Sequence, residues 1–311
     1  MIQQAGSYKL FFIKLGIFLF SLLLADIALG TLLKKAYHQQ HSGYDYYSTL
    51  AIDSTTAPIL IFGSSRAVNI FDPAILTAQL GQNSFNAGRV GQSVFYHYAV
   101  LKAATKRYKP QVVVLSVDAG DFAFDKNDYD KIAQLLPYYK QHPEMAEVVK
   151  LRGSFEAIKM LSHIYPYNSM ILPILKGHLT NNADGLNNGY GAINKTMLGP
   201  PHPIDYSAFN AIDTLKVAVF RQFINTCINQ KVALFVVCPP YRVTARGTDT
   251  TLQIIQAIAE EKKVPFFNYA FAANYTSHQD YFADFRHLNK QGSAIFTNEV
   301  AQIIKASKTM E

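Results

Sequence analysis

The stretch Pro58-Ile59-Leu60-Ile61-Phe62-Gly63-Ser64-Ser65-Arg66 decides how the rest of the chain is interpreted. Four consecutive apolar residues between a proline and a glycine predict a short strand that is buried on both faces. In an open α/β sheet, ligands bind just beyond the carboxyl ends of the strands, so the serines after Gly63 stand where a nucleophile could act. The same residues also suit a strand-to-helix turn in which Ser64 or Ser65 caps the next helix, and taken alone they favour that turn.

Apolar segments alternate with amphipathic ones along the remaining chain. Strands are predicted at 58–62, 83–86, 111–117, 231–238 and 264–268, and helices at about 72–80, 92–107, 207–229, 248–263 and 288–306. This alternation indicates βαβ units and a parallel sheet. The predicted fold class is therefore α/β, a flavodoxin-like doubly wound sheet of five parallel strands. Residues 119–206 interrupt the alternation, and we expect a largely helical insertion that forms a lid or shapes the substrate site.

Residues 15–33 (LGIFLFSLLLADIALGTLL) form an apolar run with one charge, Asp26. A run of this length can cross a bilayer as a helix, and it exceeds the roughly 7–15 apolar residues of a cleaved signal peptide. We therefore expect an uncleaved tail and anchor over 1–35, a juxtamembrane stalk over 36–57 and an α/β domain over 58–311. The short tail favours a domain outside the cytoplasm. Asp26 is expected either to face a partner membrane protein or to lie near an interface.

The net charge of +7 is partly concentrated in the anchor, since +3 falls within residues 1–35. The remainder contains no long basic run, so nucleic acid is not an expected partner, whereas anionic lipids or glycans would suit it. Cys227 and Cys238 are too few for a disulfide framework or a zinc site, and a disulfide between them is left open. No phosphate loop, dinucleotide fingerprint or metal-ligand cluster is recognisable, so we predict no cofactor and no metal.

A second polar motif, Asp284-Phe285-Arg286-His287, follows the last predicted strand. Side chains three residues apart on a helical turn point the same way, so Asp284 can orient one nitrogen of His287 while the other nitrogen addresses a serine. A serine hydroxyl is a weak nucleophile that needs such a positioned base. Alone, the motif is also typical of a helix cap beside a surface histidine. Its place at the same sheet edge as Ser65 is what points to catalysis.

These motifs resemble those of the SGNH (GDSL-like) hydrolase superfamily, over about residues 58–306 without the insertion. Gly63-Ser64-Ser65-Arg66 is similar to the family's first block, with Ser64 in place of the usual Asp. Asn86-Ala87-Gly88-Arg89-Val90-Gly91 is similar to the second block and Asp284-Phe285-Arg286-His287-Leu288-Asn289 to the fifth. The resemblance implies Ser65 as nucleophile, His287 as base and Asp284 as its orienter. It also implies that the backbone N–H groups of Ser65 and Gly91 bind the oxyanion.

The third block departs from the family, because Ser116-Val117-Asp118-Ala119 stands where Gly-x-Asn-Asp is usual. The family's Asn donates to the developing oxyanion, which an ionised Asp118 would repel, and losing such a donor costs roughly 10²–10³ in rate. Either the two N–H groups suffice, Asp118 has another role such as substrate contact, or activity is low. Arg66 and Arg89 are expected either to hold an anionic substrate group or to form surface salt bridges, and His97 to be packed or solvated.

With its anchor and its Gly-Ser-Ser block, the chain looks most similar to membrane-anchored relatives, the teichoic-acid D-alanine-transfer and alginate O-acetylation proteins. The likeness implies a serine esterase or O-acyltransferase acting on acyl esters of envelope glycans. It also implies a single helix in the bacterial cytoplasmic membrane, with the catalytic domain outside. The alternative is a non-catalytic assembly or binding subunit that partners a polytopic membrane acyltransferase. A third hypothesis is that an electrostatic glycan-binding surface is the whole function.

Overall fold

The computed structural model describes residues 2–179, 185–206, 211–247 and 249–309. Part of the predicted insertion and the predicted start of the helix at 207–229 therefore lie outside the described residues. The strands are β1 (Ile59–Phe62), β2 (Ser84–Asn86), β3 (Val112–Ser116), β4 (His202–Asp205), β5 (Ala233–Cys238), β6 (Val243–Arg246) and β7 (Phe266–Asn268).

The α-helices are α1 (Ile2–His38), α2 (Gly43–Thr49), α3 (Ser65–Ile70), α4 (Pro73–Leu80), α5 (Val94–Arg107), α6 (Lys126–Lys131), α7 (Ala146–Lys150), α8 (Glu156–Lys159), α9 (Ile171–Leu179), α10 (Thr214–Asn229), α11 (Thr250–Lys262), α12 (Ala273–Thr276) and α13 (Lys290–Thr309). A π-helical turn at Leu50–Ser54 follows α2, and short 3₁₀ turns connect the helices between α6 and α9.

Five strands form one parallel sheet in the order β2-β1-β3-β5-β7. This is a doubly wound order, and it confirms the predicted α/β fold class. Successive side chains of a strand point to opposite faces. Leu60 and Phe62 accordingly pack into one core cluster with α5 and α10, while Ile59 and Ile61 pack into the other with α3, α4 and α13. Helices on both faces explain why β1, and β3 as far as Leu115, are apolar at every position.

The turn from β1 into α3 depends on Gly63. Its φ is +139°, and a Cβ built there would lie 2.7 Å from the carbonyl oxygen of Ser116 on β3. An L side chain fits neither the conformation nor the space. Because the chain turns so tightly at Gly63, α3 can begin at Ser65, immediately after the carboxyl end of β1.

The segment predicted as a stalk at 36–57 is packed against the α/β core. Tyr37, Ala51 and Ile52 are all buried in the core cluster that covers one face of the sheet. Nothing in the sequence indicated this packing, because three buried apolar residues scattered among polar ones do not stand out as a pattern. The domain boundaries, those of the stalk included, stay predictions.

Helix α1 is long and apolar enough, from Tyr8 to His38, to cross a membrane, with a mean hydropathy of 2.3 in its most apolar window. Its most apolar window is not covered by any described part of the protein.

Candidate active site

Ser65, His287 and Asp284 lie in one line of hydrogen bonds. Ser65 Oγ is 2.8 Å from His287 Nε2, and His287 Nδ1 is 3.0 and 3.1 Å from the two carboxylate oxygens of Asp284. Ser65 opens α3, and the other two residues belong to the loop before α13, in which His287 lies 222 positions after Ser65. A parallel sheet brings these distant segments to the same edge.

The loop that carries His287 is held in place by hydrogen bonds within the loop itself. Asp284 Oδ1 accepts hydrogen bonds from the N–H groups of Arg286 and His287, each at 2.9 Å. The amide of Ala283 donates to the carbonyl of His287 at 2.8 Å, which closes the turn. Burial acts to raise the pKa of Asp284, but the imidazole of His287 and the N–H of Arg286 outweigh it and hold the pKa well below its ordinary value. The carboxylate is therefore ionised at neutral pH and can orient the imidazole.

Gly91 lines the same cavity as Ser65. The N–H of Arg89 donates to the carbonyl of Gly63 at 3.0 Å, which ties the loop after β2 to the turn that presents the serine. Gly91 has a φ of +73°, a left-handed conformation that favours glycine. The cavity measures about 520 Å³, and its wall includes Ser64, Ser65, Gly91, Asp118, Arg286 and His287.

Asp118 is buried beside the serines and is surrounded by donors. Arg66 Nη1 lies 2.7 Å from Oδ1, while Ser64 Oγ lies 3.0 Å and Arg286 Nη2 3.7 Å from Oδ2. Tyr241 adds a hydroxyl at 3.3 Å. Burial acts to raise the pKa of Asp118, but the charges of Arg66 and Arg286 keep it below its ordinary value. The carboxylate charge is thus balanced within the protein, which offsets the repulsion of an oxyanion that an unpaired Asp118 would exert.

Neither Arg66 nor Arg89 contributes to the cavity wall. Arg66 has no exposed surface, and it stacks on the ring of Tyr241 with 3.7 Å between guanidinium carbon and ring centroid. It also donates to the carbonyls of two prolines at 239 and 240. Arg89 forms an ion pair with Asp45 at 2.6 Å and donates to Ser48 Oγ at 2.6 Å. Both arginines therefore make internal ion pairs, where the sequence suggested substrate contacts or surface salt bridges.

Several charged residues of the wall, among them Arg286, Asp121 and Lys216, did not emerge from the sequence. Arg286 is 46% exposed at its side chain and points its guanidinium toward Asp118. Asp121 accepts the N–H of Asp118 at 2.7 Å, and desolvation together with the charge of Asp118 raises the pKa of Asp121 well above its ordinary value. Lys216 is buried and pairs with Asp128. Only Arg286 had a sequence signal, its place inside the Asp-x-x-His motif.

The described ranges contain no group of three or more His, Cys, Asp or Glu residues that could hold a metal ion. Cys227 and Cys238 are both buried and both free, so the disulfide that the sequence left open is not formed. The predicted lack of a cofactor stays a prediction.

With the geometry described, the chain can be compared with known proteins. No protein-family model matches the sequence. No curated protein matches it either. Among solved structures, similarity extends to a Bacteroides fragilis protein assigned as an acylhydrolase, at 13% identity and a TM-score of 0.40, over 80% of this chain and 86% of that one. It also extends to an acetyl xylan esterase, at 12% identity and a TM-score of 0.39, over 80% and 98% of the two chains. With TM-scores below 0.5, these similarities assign no activity to this chain.

Proposed function

We propose that this protein is a membrane-anchored serine esterase or O-acyltransferase of the SGNH type. The observation that carries the proposal is the hydrogen-bond line from Ser65 Oγ through His287 to Asp284, at 2.8 Å and 3.0 Å, opening into a cavity of about 520 Å³. A serine, a histidine and an ionised carboxylate in this order are the parts of an activated nucleophile.

In the proposed reaction, Ser65 Oγ attacks the carbonyl carbon of an ester while His287 Nε2 takes the hydroxyl proton. Asp284 holds the imidazole and balances the positive charge that forms on it. The backbone N–H groups of Ser65 and Gly91 donate to the oxyanion of the tetrahedral intermediate. When that intermediate collapses, His287 returns the proton to the leaving alcohol, and the acyl group stays on Ser65. Water or an acceptor hydroxyl, deprotonated by His287, then releases it.

The cavity wall supports a hydroxyl-rich acceptor such as an envelope glycan. Its lining includes Asp125, Lys131 and Arg286, whose side chains can hydrogen-bond to sugar hydroxyls. Helix α1 and the resemblance to membrane-anchored relatives support a location in the bacterial cytoplasmic membrane, with the domain outside. The same resemblance supports a polytopic membrane acyltransferase as the partner that supplies the acyl group when transfer rather than hydrolysis takes place.

The test is p-nitrophenyl acetate hydrolysis by the full chain in detergent. Ser65→Ala and His287→Ala should reduce the rate to background, and Asp284→Asn should reduce it by about 10⁴-fold or to background. Ser64→Ala is the matched control, because Ser64 Oγ donates to Asp118 rather than to His287, and it should keep most of the activity. Equal rates in all variants, with intact circular dichroism, would contradict the enzyme and favour the assembly subunit.

A further inference from the structure

Exposed apolar residues are concentrated in one part of the insertion. Outside α1, seven of the fourteen large apolar side chains that the described residues leave exposed fall within residues 155–179. We define the insertion face as six of them, Phe155, Ile158, Leu161, Leu172, Leu175 and Leu179, which are between 50% and 80% exposed. A soluble surface seldom gathers so many large apolar side chains, and such patches mark contact with a protein or a membrane.

The insertion meets α1 inside its apolar run. Asp26 accepts hydrogen bonds from Ser162 Oγ at 2.6 Å, from the N–H of His163 at 2.7 Å and from the N–H of Ile164 at 3.3 Å. Gly30, one turn later on the same helix face, is so close to the insertion that a Cβ there would lie 2.3 Å from the carbonyl carbon of His163. Asp26, for which the sequence left a membrane partner open, is therefore bound by this chain's own insertion.

Helix α9 lies against the end of the same helix. A ring nitrogen of His178 is 2.7 Å from the carbonyl oxygen of Ala36, and Gly177 lies against the side chain of Gln40. Residues three and seven positions apart share one face of a helix. Leu172, Leu175 and Leu179 accordingly form an outward face of α9, while Ile174 and Gly177 are buried.

A bilayer is the occupant that suits the insertion face. The apolar surface of α1 is exposed from Tyr8 to Leu24, and the hydrocarbon core of a bilayer would cover it. The contacts of Asp26 and Gly30 with the residues just after 155–161, and of Ala36 with α9, bring both apolar segments of the insertion close to the last turns of α1. Lys34 and Lys35 on α1 are exposed at the same end, where long lysine side chains can reach the polar surface of a bilayer.

We propose that the insertion face is a second membrane contact, embedded in the interface of the bilayer that α1 crosses. The anchor and the insertion then hold the α/β domain in one orientation on the membrane. This proposal concerns how the domain is placed, and it does not depend on the proposed esterase activity.

The test measures the depth of spin labels on the full chain in vesicles of phosphatidylglycerol and phosphatidylethanolamine. Nitroxides are attached at Leu161→Cys, Leu172→Cys and Leu179→Cys, with Leu198→Cys as the matched control. Leu198 is an exposed leucine, 86% accessible, outside the insertion face. Burial raises the pKa of both native cysteines to about 12, so their thiols stay unlabelled at neutral pH.

Labels on the insertion face should collide with oxygen several-fold more, relative to a water-soluble nickel chelate, than the label at 198. Equal exposure of all four labels to the nickel chelate would show that the face lies in water and would overturn the proposal. Protection of the three face labels from both reagents would also overturn it, since the face would then be covered by protein, either a second copy or a partner.

Discussion

The ion pair between Arg66 and Asp118 lies next to the candidate nucleophile, Ser65. Arg66 follows Ser65 in α3, and Asp118 accepts the hydroxyl of Ser64 at 3.0 Å. The pair therefore joins the serine turn to the loop after β3. Because neither side chain is more than 4% exposed, the charge of Arg66 depends on the carboxylate of Asp118 for compensation.

Replacement of Asp118 by alanine should destabilise the protein strongly. The guanidinium of Arg66 would remain buried without its counter-charge, and breaking such a pair costs about 3–5 kcal/mol. Urea unfolding of the full chain in detergent measures the loss. Asp280→Ala is the control, because its side chain is 61% exposed and the change should stay within about 0.5 kcal/mol. Equal losses in the two variants would contradict a structural role for the pair.

Among the elements, α5 buries a histidine behind the site. His97 is 3% exposed. Burial lowers the pKa of its imidazole to about 4, although a contact with the backbone of Gln92 acts in the opposite direction. The folded protein therefore keeps His97 neutral at pH values where the unfolded chain, with a pKa near 6.5, would protonate it.

Stability should consequently fall as the pH is lowered from about 6.5 to about 4. In that window the unfolded state binds the additional proton, and the contribution of His97 to the free energy of unfolding decreases by on the order of 3 kcal/mol. Above pH 6.5 both states are neutral and the contribution is constant. Urea unfolding at several pH values measures how steeply the free energy of unfolding falls between pH 6.5 and 4, and His97→Gln should make this fall less steep. An equally steep fall in that variant would contradict the assignment of this pH dependence to His97.

Helix α1 contacts the insertion at Gly30. Gly30→Ala should push the backbone at His163 away, since the new Cβ would lie 2.3 Å from a main-chain carbon, and overpacking of this kind costs about 1–3 kcal/mol. Gly16→Ala is the control on the same helix, where a Cβ has nothing within 4 Å. Thermal unfolding in detergent should show a lower Tm for the first variant only. A Tm that is equal in both would mean that the insertion is not held at Gly30.

The sequence was informative for elements whose burial leaves a pattern. Continuous apolar runs predicted β1 and β3. The helix expected at about 72–80 corresponds to α4, where the Asp72 carboxylate accepts the N–H of Ala74. The paired strands β4 and β6 are mostly exposed and carry no apolar run, so no pattern indicated them. The six residues of α3 are likewise too few to show a helical period.

The candidate site was predictable only where a motif is local. Asp284 and His287 share one turn, so their spacing indicated the pair directly. The partners of Arg66 and Arg89 lie 52 and 44 positions away, and no local pattern of charge predicts pairings formed across the fold. The sequence therefore suggested substrate contacts or surface salt bridges for these two arginines, although both are buried.

Over the whole molecule, the second half of α1 packs against the rest of the chain. Tyr37, near the end of α1, is buried among the core residues, and its hydroxyl is 3.1 Å from that of Tyr138 in the insertion. Experiments on a chain cut at residue 36 would remove the contacts of Asp26 and Gly30 with the insertion. The full chain in detergent is therefore the sample on which the chemistry is best measured.

The most direct test of the central claim is covalent labelling of this full chain with a fluorophosphonate, followed by peptide mass spectrometry. If Ser65 is the nucleophile activated by His287, wild type carries one adduct on Ser65, and both Ser65→Ala and His287→Ala lose it while Ser64→Ala keeps it. An adduct that survives in Ser65→Ala, or that maps to another serine, would contradict the account.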